Sequence, residues 1–306
     1  MVELNLRGIN LRNDIVFKYV FASENSQDIL ISLLNAIFEH SKQEKIKDIV
    51  YLNPYNAKES FDEKLTVLDI KATDESGRQY NIEMQVKNEA QFIERIIYYN
   101  SRLLTSQLKQ GETYSDLKKT ITIAITDFKL FPDEKDYHNI YRMLNVKSHK
   151  ELSGVVEYHF LELLKYKESK NLEEIIKKWL FTIKNAENFI NEPDKLPDSI
   201  KKEASIMRAI QKMQKAAADP ELRSIIEYRE KADLDNLQRM KNALREGEMR
   251  GEMRGIMLGK QEGMILGEKK GVLEGKIEVA KEMLKRNLSI DTISSITGLP
   301  IMILRN

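Results

Sequence analysis

The chain has 306 residues, enough for one or two domains, and its 49 basic and 48 acidic side chains leave a net charge of +1. The absence of cysteine excludes disulfides, thiolate metal sites and cysteine nucleophiles, and its 4 histidines lack the spacing of a zinc site. No apolar run approaches the roughly 20 residues of a membrane span, and residues 1–20 lack a secretory signal pattern, so a soluble cytoplasmic protein with no membrane partner is expected.

In chain order, Asn13 is placed to cap a helix from Asp14 to about Phe21, and Ser26 opens a second helix over residues 27–39. There Ile29, Leu30, Leu33, Leu34, Ile37 and Phe38 fall at helical spacing. Segment Lys45–Leu52 reads as a short strand closed by Asn53 and Pro54. Next, LTVLDIKAT, DESG and RQYNIEMQV describe two strands joined by a turn. Alternation puts Asp69 on one face with Lys71, and Glu83 on one face with Gln85. Whether the two faces coincide depends on the loop. A three-residue loop Glu75-Ser76-Gly77, closed by a left-handed glycine, pairs Asp74 with Arg78 and sets Asp69 opposite Glu83. Leu68, Ile70, Ile82, Met84 and Val86 then fill the other face.

Residues 89–109 predict an amphipathic helix, with Phe92, Ile93, Ile96, Ile97, Leu103, Leu104 and Leu108 on its apolar side. Residues 118–128 are β-branched and apolar, as in a strand buried on both faces, and residues 155–163 form one more strand. Beyond Leu172 only helical patterns remain, over 171–190, 199–217 and a long charged helix begun by Pro220. Three parts are therefore expected: an α/β domain over 1–168, a helical extension over 169–238, and a tail over 239–306.

In the tail, glycine recurs every fourth residue from Gly247 to Gly275. Four residues advance a helix by about 400°, so each glycine turns roughly 40° past the last and no straight stripe forms. Two readings stand: a marginal solvated helix from tandem duplication, or a surface for homo-oligomerisation. Two short helices follow, broken at Asn287-Leu288 and Gly298-Leu299-Pro300. They resemble a helix-turn-helix superficially, but only Arg305 is basic beyond Pro300, which argues against DNA reading there.

The hairpin carries the chemistry. Two carboxylates about 5 Å apart repel unless a cation lies between them, and hard divalent ions take such oxygen ligands. Asp14, on the preceding helix, is the candidate third carboxylate. The alternative is an exposed pair that is simply solvated. Arg95, Tyr99 and Arg102 share a helix face at i, i+4 and i+7, suited to phosphate, with Lys18 a further candidate. A plain polar helix face remains open too.

Segments DIVFKYVF (14–21), LDIKATDESGRQYNIEMQV (68–86) and RIIYYNSRLLTSQLKQGETYSDLKKTITIAITDF (95–128) resemble the PD-(D/E)XK nuclease superfamily. With the glycine-tetrad tail and its terminal TGL (297–299), the resemblance is to the Rpn branch of recombination-promoting, transposase-like bacterial nucleases. It implies an α/β restriction-endonuclease-like core with an appended C-terminal helical region. It also implies DNA cleavage dependent on Mg²⁺ or Mn²⁺, in recombination or mobile-element activity. Carried over by position, Asp69 and Glu83 become the metal-binding acids and Gln85 the last motif residue, which orients the attacking water. Leu68 stands where the motif has proline, and Gln85 where it has lysine; the branch often carries glutamine there. A neutral amide orients water but brings no positive charge. Two rivals remain: a non-catalytic protein that keeps this core and oligomerises through its tail, and a DNA-binding regulator working through the terminal helices.

Overall fold

The structure, a computed structural model, describes residues 8–39, 44–53, 55–56, 66–67, 69–168 and 172–304, so Pro54, Leu68 and Arg305 lie outside the described residues. The chain divides into two compact units, Met1–Glu230 and Lys231–Asn306.

The first unit begins with α1 (Asp14–Ala22), where the Asn13 side chain accepts the backbone N–H groups of Ile15 and Val16 at 3.0 and 3.3 Å. Helix α2 (Gln27–Phe38) starts after Ser26 without a side-chain cap; the Ser26 backbone is helical (φ −109°, ψ 0°), and its hydroxyl accepts the ammonium of Lys212 at 2.6 Å. The strand expected over 45–52 shortens to β1 (Ile49–Tyr51), followed by the small ribbon β2 (Tyr55–Asn56) and β3 (Thr66–Val67). Then come β4 (Ile70–Asp74), β5 (Gln79–Gln85), α3 (Phe92–Thr105), β6 (Thr120–Thr126), β7 (His138–Arg142) and β8 (Val156–Glu162). Six of these strands form one sheet in the order β1-β4-β5-β6-β8-β7. Strands β5, β6 and β8 run parallel and the others antiparallel. Edge strand β7 has no apolar alternation to announce it, since its HNIYR sequence is largely solvent-facing.

The hairpin has the register that a three-residue loop dictates. Ile70 pairs with Ile82 and Lys71 with Asn81, so the same count carries Asp69 to Glu83. Gly77 takes φ +84°, a conformation in which a Cβ is strained, and its N–H donates to the Asp74 carbonyl at 3.0 Å. The buried Asp74 carboxylate secures the turn by accepting five donors: Ser76 N–H (2.9 Å) and Oγ (2.7 Å), Arg78 N–H (2.9 Å) and Nε (2.5 Å), and the Tyr80 hydroxyl (2.7 Å). Burial alone would raise this carboxyl, but the bonds from Ser76, Tyr80 and Arg78 hold it below the usual range.

One sheet face is apolar. Ile70, Ala72, Tyr80, Ile82, Met84, Ile121, Ile123 and Ile125 share a buried cluster with α1 and α2, and every residue of β6 is buried. Val86, expected on this face, is 47% exposed because it lies beyond the end of β5. Helices α4 (Ile175–Asn185) and α6 (Ala204–Ala218) enter the same cluster, with the short α5 (Asp198–Lys201) between them. Trp179 of α4 is fully buried beside Phe21, and its indole N–H donates to Ser32 at 3.2 Å. The division expected at 168/169 is therefore not a packing boundary. A sheet with a fully apolar face must be covered, burial of each large side chain stabilising by about 1.5–3 kcal/mol, and these helices help cover it.

Helix α7 (Pro220–Lys285) continues unbroken into the second unit. Around each glycine from Gly247 to Gly275 the space that a Cβ would take is open. The expected breaks hold: Asn287 (φ +61°) separates α7 from α8 (Ile290–Thr297), and left-handed Gly298 separates α8 from α9 (Ile301–Leu304). Ala280, Ile293 and Leu299 make a small core there. No described helix is long and apolar enough to cross a membrane.

Two measurements check this account. Asp74→Asn removes a charge that accepts five bonds and should cost about 2–3 kcal/mol in urea denaturation near neutral pH. Because the folded carboxyl is held low, the difference from wild type should shrink as pH falls below about 3.9. In hydrogen exchange at low protein concentration, residues 247–275 should be the least protected helix, since each interior glycine costs about 1 kcal/mol relative to alanine. Slowing there only at high concentration would mark self-association.

Candidate active site

The second sheet face is polar and lies beneath α3. Alternation in β5 aligns Gln79, Asn81, Glu83 and Gln85, and their partners on β6 are Thr120, Thr122, Ala124 and Thr126. Helix α3 seals this face with Phe92 and Ile96, and also with the buried amide of Asn100, which donates to the Thr122 hydroxyl at 2.8 Å. Ile97, expected on the apolar side of α3, is 47% exposed because polar Asn100 holds a buried place on that helix.

Asp69 stands immediately before β4. Its Oδ1 lies 3.0 Å from the Lys18 ammonium, and its Oδ2 accepts the Met84 backbone N–H at 3.0 Å. Glu83, on β5, is 5% exposed, and its Oε1 has no hydrogen-bond partner among the described residues. Its carboxyl is pushed well above the ordinary range, first by burial and then by the negative charge of Asp69. Asn81, Arg95 and the Asp69 backbone draw it back only in part. An unsatisfied buried polar atom costs about 1–3 kcal/mol, so the arrangement is unfavourable in the protein alone.

The sequence candidates separate under this geometry. Arg95 and Tyr99 stand in the electrostatic field of Glu83: Arg95 favours its charged form, while its Nη1 pairs with Glu89 at 2.5 Å and its head lies over Phe92. Burial and then the charge of Glu83 raise the Tyr99 hydroxyl. Arg102 lies two turns beyond Arg95 and is half-buried. Lys18 is drawn to Asp69. Gln85 ends β5 half-buried, and its amide donates to the Lys87 carbonyl at 3.0 Å. Asp14 does not join the pair. Its carboxylate lies 3.8 Å from Arg229, and no three acidic or histidine side chains among the described residues form a metal-sized group. Sequence reasoning passed over Asn81 and Asn100, although Asn81 is legible as the first polar residue in N-x-E-x-Q.

Asp69 and Glu83 present hard oxygen donors, one of them orphaned, and Mg²⁺ commonly rests on one or two carboxylates with water and phosphate completing its shell. The residues present therefore fit a divalent ion. Lys18 already places a cation on Asp69.

The raised Glu83 carboxyl has a stability consequence. The unfolded chain loses this proton near pH 4.3, so stability is lost as pH climbs from there through the higher folded value. In EDTA, Glu83→Gln should melt close to wild type at about pH 5 and at least about 2 °C above it near pH 9. Parallel melting curves would mean that the Glu83 charge is already compensated.

No curated protein and no solved structure matches the chain significantly. A family model does, that of the PD-(D/E)XK nuclease family transposases, over residues 11–243. This span holds the facing acids, α3, the parallel strands and the covering helices. The chain belongs to the PD-(D/E)XK nuclease family transposases.

Proposed function

We propose that the protein is a Mg²⁺- or Mn²⁺-dependent DNA endonuclease acting in recombination or mobile-element activity. The observation that carries this reading is the register-matched pair Asp69 and Glu83, with a buried carboxylate oxygen left without a partner. Asp69 and Glu83 would hold the ion, which supplies Lewis acidity toward a phosphate oxygen and a lowered pKa for bound water. The Met84 N–H fixes the orientation of Asp69. Lys18 brings the positive charge that Gln85, a neutral amide, does not. Gln85 orients water, and Arg95, Tyr99 and Arg102 meet the phosphate backbone from α3.

Supercoiled plasmid should be nicked in Mg²⁺ or Mn²⁺ and spared in EDTA. Asp69→Ala should lower the rate about 100-fold or more, the scale on which loss of one electrostatic stabiliser acts. Gln85→Ala should lower kcat more than it shifts the metal concentration dependence. Full activity of Asp69→Ala would overturn the assignment, and no nicking by wild type would favour the non-catalytic reading.

A further inference from the structure

Two depressions of about 370 Å³ each lie on the first unit and share Tyr19 and Ser23 as a common wall. One holds Asp69, Lys18 and Lys71; the other is lined by Arg208, Lys212 and Lys215 of α6. The two depressions adjoin at α1, one beside Asp69 and the other along α6. The three α6 cations follow i, i+4 and i+7, on the side of the helix away from buried Ile206, Ile210, Met213 and Ala217. They span about 10 Å of helix axis. One strand of a duplex presents a phosphate about every 3.4 Å along its axis, so the stripe spans about three.

Of the cations lining the α6 depression, Lys212 and Lys215 have no carboxylate at ion-pair distance among the described residues. The Lys212 ammonium donates to Ser23 Oγ (2.7 Å), the Glu24 carbonyl (2.8 Å) and Ser26 Oγ (2.6 Å), all neutral oxygens. Burial, then the neighbouring charges of Arg208 and Lys215, pull its proton affinity down. Lys215 is exposed, and its ammonium makes no ion pair or hydrogen bond among the described residues. Arg208 is partly offset by Asp28 at 2.6 Å, and Glu24 also lines the wall. Lys212 and Lys215 thus form a cationic patch on α6 next to the depression that holds Asp69.

We infer that a nucleic-acid backbone lies along these two adjoining depressions as one groove, its phosphates running from Asp69 past α1 to Lys212 and Lys215. The inference rests on the nuclease reading for what happens at one end, but the binding it describes is measurable without cleavage. Anisotropy of a labelled oligonucleotide duplex in EDTA, titrated with salt, reads the number of phosphates neutralised, because log K falls with log salt at about 0.9 per contact. Lys215→Gln, which breaks no contact in the fold, should reduce that slope by about 1, and Lys212→Gln with Lys215→Gln by about 2. Lys241→Gln, the same charge change in the second unit, should leave it unaltered. Unchanged slopes in the α6 variants, an equal loss in Lys241→Gln, or no binding by wild type would each overturn the groove. A slope that falls as stated in a protein that never nicks plasmid would leave the groove standing and remove the nuclease reading. Nicking by a wild type whose slope ignores α6 would do the opposite.

Discussion

Everything at the candidate site depends on the register of one hairpin, and that register is held by the buried carboxylate of Asp74. Side chains along a strand alternate between faces, so a slip of one residue would turn Asp69 away from Glu83. Five donors on one carboxylate, with a glycine that accepts φ +84°, make the three-residue loop the favoured closure. Residues well away from the chemistry thus decide whether two acids meet.

The polar face between the sheet and α3 shows the stability cost that such a meeting carries. Glu83 is buried with an orphan oxygen, Asn81 has both amide atoms unpartnered among the described residues, and Asn100 leaves its carbonyl oxygen unbonded. A core assembled for stability alone would fill these places with apolar groups. The opposite face does so, with isoleucines of β4, β5 and β6 under four helices. Lys18 relieves part of the electrostatic tension by reaching Asp69 from α1.

Each unit is stabilised differently. The first combines an apolar sheet face with helices drawn from both ends of its sequence, α1 and α2 before the sheet, α4 and α6 after it. Lys212 ties these groups together by bonding the α1–α2 turn from α6. The second is mostly a single solvated helix with open space around its glycines, and its small core of Ala280, Ile293 and Leu299 has Ile277, Met283 and Leu304 packed against it.

Local physics was enough for much of this molecule. The Asn13 cap, the buried run of β6, the loop parity that sets Asp69 across from Glu83, and the breaks at Asn287 and Gly298 are consequences of neighbouring residues. Each involves few residues and steric or hydrogen-bonding rules that apply wherever the segment lies. Long-range packing decided the rest. The Ser26 hydroxyl met Lys212 from α6, and Asp14 found Arg229 in place of the acidic pair. Asn100 was taken into the core because Thr122 waited beneath it, and helices α4 and α6 joined the first unit because an apolar sheet face needed cover. These partners stand more than twenty residues apart in the chain, so their pairing depends on which surfaces the folded sheet leaves to be covered, which no local pattern encodes.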